Sequence, residues 1–273
     1  MRKVGLFRSI LKKILPRANP AFLAYSNPIG EDFAKPEYLA ACRVMKENPY
    51  FHRKQWEFVY IYWNFKEHGV LAPQKRGLGF GVGKEPLPAI FASLGCEIMA
   101  TDAPSAVVKG KGWTETDQHI ADVEDLRYEG FLPKDTFLAQ VEYAPCDMNN
   151  IGANFVGYDF CWSACALEHL GSLRAGMDFI IASVEKTLKI GGVACHTTEF
   201  NIGSNDETLE SGGTVLYRKR DLEQLISELT ARGHSVDPLR VNYGRQDIDR
   251  HIDLPPYSVD RHLKLRLDRF DAT

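Results

Sequence analysis

Arg76-Gly77-Leu78-Gly79-Phe80-Gly81-Val82-Gly83-Lys84-Glu85-Pro86 runs into the helix-like Leu87–Leu94, and then into Cys96-Glu97-Ile98-Met99-Ala100-Thr101-Asp102. A short apolar strand meets a glycine-rich turn, a helix follows, and a second apolar strand ends in an aspartate about 20 residues on. This is how an α/β sheet holds an adenosine-containing cofactor. Glycines let the backbone approach the ligand closely, and a carboxylate at the next strand's end reaches ribose hydroxyls.

Spacing separates three frames for the glycines. A dinucleotide turn needs Gly-x-Gly-x-x-Gly. Counted from Gly79 the last position is Lys84, and counted from Gly77 it is Val82, so neither frame fits. A P-loop needs Gly-x-x-x-x-Gly-Lys-Ser/Thr. Gly83-Lys84 is present, but Leu78 and Glu85 hold the first and last positions. The frame that remains is Gly79-x-Gly81-x-Gly83.

Outward from this unit, strands keep alternating with helices. Val141–Ala144 reads as a third strand ending in Cys146-Asp147-Met148, and Tyr158–Trp162 as a fourth. Gly176–Leu188 reads as an apolar-faced helix stopped by Gly191-Gly192. Val193–Thr197 is a fifth strand, Asp221–Arg232 a helix closed by Gly233, and Ser235–Val241 a sixth strand. His262–Leu267, with Leu263, Leu265 and Leu267 at a period of two, is a candidate closing strand. The alternation predicts an α/β, Rossmann-like, mainly parallel sheet of about seven strands covered on both faces.

Residues 1–70 read as a helical extension packed on a core domain of residues 71–273. Its helices are expected over about Glu37–Glu47, ended by Asn48-Pro49, and about Arg53–His68, ended by Gly69. The second is dense in aromatics: Trp56, Phe58, Tyr60, Tyr62, Trp63 and Phe65. Core packing is the first reading of that stripe and a pocket wall the second. Residues 1–17 are basic and amphipathic, with Val4, Phe7, Leu11, Ile14 and Leu15 on one helical face. Such a helix packs on the domain, frays, or lies on an anionic membrane surface. Residues 104–140 form a long irregular stretch, the expected lid or substrate insert.

The 273 residues carry a net charge of −3, so no global basic field draws the chain to nucleic acid. No apolar run approaches the ~20 residues of a membrane span, and lysines and arginines interrupt any signal-like start. The expected location is cytoplasmic, with peripheral membrane contact through residues 1–17 as the added reading. The six cysteines make no Cys-x-x-Cys pair and complete no zinc spacing, so reduced thiols are expected.

The glycine frame resembles the first motif of the class I S-adenosylmethionine-dependent methyltransferases. Further pieces match in order over about residues 70–245. Asp102 ends the second strand, where the family binds ribose, and Asp147-Met148 ends the third, where it contacts adenine. Ala166-Leu167-Glu168-His169-Leu170 resembles the family's Leu-Glu-His-Leu, and Leu188-Lys189-Ile190-Gly191-Gly192 its Leu-Lys-Pro-Gly-Gly turn. The resemblance implies S-adenosyl-L-methionine as cofactor, S-adenosyl-L-homocysteine as product, and Gly79, Phe80, Gly81, Gly83, Asp102, Ala103, Asp147, Met148 and Ser163 as the donor's surroundings. One departure stands out. The family often places an acid two positions before the first motif glycine, where this chain has Gly77; Glu85 is the candidate substitute. Gly83–Pro88, His196–Asn201 and Pro255–Tyr257 resemble methyltransferases encoded with glycan-assembly enzymes. That implies a saccharide hydroxyl as acceptor. A phenol or amine acceptor, and a catalytically silent cofactor-binding scaffold, are the alternatives.

A sugar hydroxyl needs a positioned base for in-line methyl transfer. Two histidines follow the fourth and fifth strands. His169 is the first candidate base and His196 the second, as base or substrate contact. Glu199 lies three residues beyond His196, placed to orient a histidine, bind sugar hydroxyls or hold a metal. Glu168, His169, His196 and Glu199 form a possible divalent-cation set, though their spacing is not diagnostic and no metal is favoured. Asp247, Asp249, His251 and Asp253 form a second polar cluster, read as a solvated loop or a substrate loop.

Overall fold

The computed structural model describes residues 22–104, 120 and 122–273. The basic segment 1–17 and part of the expected lid (105–119 and 121) lie outside the described residues. Helix α1 (Pro36–Met45) starts on a proline, whose missing N–H is no loss in a first turn. Strand β1 (Phe51–His52) leads into α2 (Arg53–Glu67), and the His52 ring caps α2 by accepting from Lys54 N. Then come β2 (Arg76–Phe80), α3 (Leu87–Ser93), β3 (Glu97–Asp102), α4 (Lys134–Gln140) and β4 (Val141–Pro145). The chain continues through β5 (Tyr158–Ala164), α5 (Leu173–Ala182), β6 (Leu188–Thr197) and α6 (Lys219–Ala231). After α7 (Asp247–Arg250) it ends in β7 (Arg261–His262), β8 (Leu265–Leu267) and β9 (Phe270–Ala272).

Among the described residues the central sheet has five strands, not seven, in the order β4-β3-β2-β5-β6, all parallel. Two expected strands fall outside it. Residues 235–241 pair with no strand. Nearby backbone groups bond residues 26 and 27 instead: Ser26 N donates to Arg240 O, and Asn27 brackets Asn242. The leucine-alternating segment is split. Arg261–His262 pairs parallel with Phe51–His52, and Leu265–Leu267 forms a hairpin with Phe270–Ala272. Gly191-Gly192 does not stop a helix either. Helix α5 ends at Ala182 and a π-helical turn, Ser183–Thr187, follows. The glycine pair sits inside β6, at an irregularity in its register with β5.

Strand residues alternate between the two faces. Phe160 and Trp162 of β5 join a core built from α1, α2 and α3. Cys161 of β5 joins Leu78 and Phe80 of β2 in a second core under α5 and α6. This alternation explains the glycines of β2. A Cβ on Gly77 would lie 2.4 Å from the Phe160 ring, and one on Gly79 would lie 2.5 Å from Trp162. An acidic side chain at position 77 has no room, because Phe160 already fills that space. No helix among the described residues is long and apolar enough to cross a membrane.

Candidate active site

Strand order reverses between β2 and β5, so the connections leave their carboxyl ends in opposite directions and open a crevice there. A cavity of about 390 Å³ fills that crevice, within the range of small-molecule sites. Its glycine-turn wall is Gly81, Val82, Gly83, Lys84 and Glu85. The ends of β3 and β4 add Asp102, Ala103, Cys146, Asp147 and Met148. Lys54 and Phe58 of α2, Tyr128, Cys165 and His169 close the remainder.

Gly81 adopts φ +58°, and a Cβ there would stand 2.8 Å from Ala166 Cβ and 3.4 Å from Met148 Sδ. Glycine is needed both for the left-handed bend and for the closeness of the β5 loop. Asp102 Oδ1 accepts from Ala103 N at 2.7 Å, which fixes the carboxylate at the strand's end. Asp147 Oδ1 likewise accepts from Asn149 N at 2.9 Å. Glu85 is 6% exposed, and its Oε1 accepts from Trp162 Nε1 at 2.6 Å. Burial pushes this carboxyl up to about 8, although the Trp162 bond and Lys54 favour its ionised form. A carboxylic acid is therefore held neutral at the cavity wall, ready to ionise against a cation.

Of the residues expected around a donor, Gly81, Gly83, Asp102, Ala103, Asp147 and Met148 line the cavity. Gly79, Phe80 and Ser163 do not. Gly79 packs over Trp162, Phe80 meets Phe179 edge-on at 5.1 Å, and Ser163 Oγ lies 2.9 Å from His196 Nδ1.

The two candidate bases part company. His169 lines the cavity, and its Nδ1 is 2.8 Å from the Gly213 carbonyl oxygen. That bond puts the ring proton on Nδ1 and the basic lone pair on Nε2. His196 is held between two serines, Ser163 at Nδ1 and Ser183 at Nε2 (3.1 Å), and is absent from the cavity wall. Burial lowers it to about 4. The ring is half-buried and lines a second cavity of about 220 Å³, apart from the crevice.

Glu199 lies in a buried charged cluster beside the cavity. Its Oε1 is 2.5 Å from Arg53 Nη2, and Arg53 Nη1 reaches Glu57 and Cys165 Sγ, each at 3.3 Å. Lys54 Nζ donates to Glu57 Oε2 and to the Ala164 carbonyl, both at 3.2 Å. Thr197 Oγ1 donates to Glu57 Oε2, and Thr198 Oγ1 to Glu168 Oε2. Burial raises Glu199 to about 7; Arg53 opposes this, and Glu168 and Glu57 add to it. Glu57 goes the other way. Burial works against its charge, yet Lys54 and Arg53 keep it below the ordinary carboxylate value. Arg53, Lys54 and Glu57 do not stand out in the sequence, because the aromatic stripe of α2 dominates its pattern and points to packing. The available signal is two cations and an acid three and four positions apart on one helical face.

The polar cluster near Pro255-Pro256 is structural in part. Asp249 accepts from Gly30 N, Arg245 N and Gln246 N, and Asp253 Oδ2 is 2.6 Å from His262 Nδ1.

No protein-family profile matches the chain, and no curated protein matches it. Solved structures that the chain resembles include methyltransferases, each at a TM-score below 0.5. The methyltransferase domain of bacterial CtHen1-CN superposes with a TM-score of 0.43 at 15% identity, over 66% of this chain and 86% of that one. A candidate sarcosine dimethylglycine methyltransferase from Galdieria sulphuraria gives 0.39 at 16% identity, over 63% and 52%. The glycopeptide N-methyltransferase MtfA, complexed with sinefungin, gives 0.38 at 15%, over 56% and 54%. The chain thus spans about half the length of the last two.

Proposed function

We propose that this chain is an S-adenosylmethionine-dependent methyltransferase that transfers a methyl group to a hydroxyl of a saccharide. The observation that carries the donor half is the crevice at the carboxyl ends of β2 and β5, bent around Gly81 and flanked by the carboxylates of Asp102 and Asp147. These residues fit the donor. The glycine turn leaves backbone uncovered, Asp102 suits ribose hydroxyls, and Cys146, Asp147 and Met148 suit an adenine. Glu85, the neutral acid of the wall, suits an ammonium, whose charge would draw off its proton while Trp162 holds the carboxylate. It takes the part that Gly77 leaves vacant. When bound, the donor supplies an electrophilic methyl carbon on a sulfonium.

The acceptor half rests on the resemblance of Gly83–Pro88, His196–Asn201 and Pro255–Tyr257 to glycan-associated enzymes, and on His169. His169 lines the cavity with Nδ1 turned to Gly213 O, and an imidazole there is suited to taking a hydroxyl proton. Calorimetry with S-adenosylmethionine and S-adenosylhomocysteine tests the donor, and absence of binding to either ends the proposal. An acceptor screen following S-adenosylhomocysteine release tests the acceptor. Turnover on catechols or amines but not glycans would replace the saccharide reading, and donor binding without any turnover would favour a scaffold.

A further inference from the structure

Glu168 is fully buried and Glu199 is 5% exposed. Glu168 Oε1 and Glu199 Oε2 are buried without a hydrogen-bond partner, although each residue's other oxygen is bonded. A buried carboxylate oxygen with nothing to accept from is costly, and here two occur together. Ligand atoms of Glu168, Glu199 and Cys165 all lie within 4.8 Å of one another. The two histidines that the sequence pattern groups with these glutamates are turned elsewhere: His196 is locked between serines, and His169 Nδ1 is turned to Gly213.

Charge gives an independent argument. The cluster holds three carboxylates, Glu57, Glu168 and Glu199, against two cations, Arg53 and Lys54. One negative charge is left over in a buried place, which a protein neutralises by a proton or a cation. A doubly charged ion bound by Cys165 as thiolate would cancel the excess completely.

We infer that Cys165, Glu168 and Glu199 form a binding site for one divalent transition-metal ion, with zinc best suited to one sulfur and two oxygen donors. Arg53, bonded to both Cys165 and Glu199, orients two of the three ligands. Three protein ligands would leave a fourth position open; of the three, Cys165 lines the cavity. The inference does not depend on the methyl-donor reading.

Zinc and cobalt(II) titrations of the full chain, prepared metal-free by chelation, test it without any turnover measurement. The expected result is one zinc retained per chain after dialysis, and a thiolate-to-cobalt charge-transfer absorption on cobalt loading. Cys165→Ser should abolish that absorption. Glu168→Gln and Glu199→Gln should each weaken zinc by about a hundredfold or more, beyond the loss of an outer partner. Cys96→Ser, a buried thiol elsewhere, should change neither. Circular dichroism identifies variants that fail to fold; because the Gln replacements keep shape, one folded variant suffices. A folded wild-type chain that binds no stoichiometric zinc at micromolar free ion overturns the site. So does cobalt binding without thiolate absorption, or magnesium binding in preference to zinc.

Discussion

Glu85 bears on stability and, under the proposed function, on donor binding. Its pKa rises from about 4.5 to about 8 because burial penalises its charge. An acid raised on folding supports the fold fully below 4.5, and that support is lost as pH climbs to about 8. Glu85→Gln, which can still accept from Trp162, removes the dependence. Denaturation at pH 5 and pH 8 should therefore show the wild type losing on the order of a few kcal/mol relative to the variant. The same variant should bind S-adenosylmethionine more weakly, since an amide cannot ionise beside an ammonium. At Gly81 an alanine meets a left-handed backbone and the Ala166 methyl at once. Gly81→Ala should cost about 1–2 kcal/mol from conformation alone and weaken donor binding, read by chemical denaturation and calorimetry. The two histidines separate in the same way. His169→Asn should lower kcat by about 10²–10⁴-fold with donor binding intact. His196→Asn should keep turnover and lose stability, because it disturbs the bonds to Ser163 and Ser183.

Helix α2 links the aromatic core to the charged cluster, and its first turn is where the two meet. Arg53 pairs with Glu57 on its own helix and with Glu199 beyond β6. Removing it leaves buried carboxylates uncompensated, so Arg53→Met should destabilise the chain by about 3–5 kcal/mol, measured by urea unfolding. The β2–α3–β3 unit is legible in the sequence because turn, helix and strand each obey local rules that agree with one another. The ends of β3 and β4 are legible for the same reason, which is how Asp102 and Asp147 can be placed. Local rules cannot place what long-range packing decides. Residues 235–241 have a strand-like composition, yet nearby backbone groups find partners at residues 26 and 27. His196 and His169 look alike in sequence; only the tertiary structure sets one between serines and the other on the cavity wall. The cluster around Glu199 is half visible, since Glu168 and Glu199 stand out while Arg53 and Lys54 are hidden among aromatics.

Among the described residues, segments far apart in sequence are stitched together. Phe51–His52 pairs with Arg261–His262, and Phe200 exchanges two backbone hydrogen bonds with Thr273. The cavity draws its walls from β2, β3, β4 and β5 ends, from α2 and from Tyr128, whose hydroxyl donates to Lys84 O at 2.6 Å. A ligand in that space touches elements from both sides of the sheet reversal, so its binding free energy opposes unfolding of the entire unit rather than of one loop. S-adenosylhomocysteine at 100 times its dissociation constant should add about 2.7 kcal/mol. For a chain of this size that moves the melting midpoint up by about 5–10 °C. The transition should shift as one, without a new early phase. Gly81→Ala should begin from a lower midpoint and gain less at the same ligand concentration, because the methyl intrudes where the donor's backbone contacts are expected. A wild-type midpoint that stays fixed while S-adenosylhomocysteine is raised to millimolar levels would show that this crevice does not hold the donor, whatever the fold resembles.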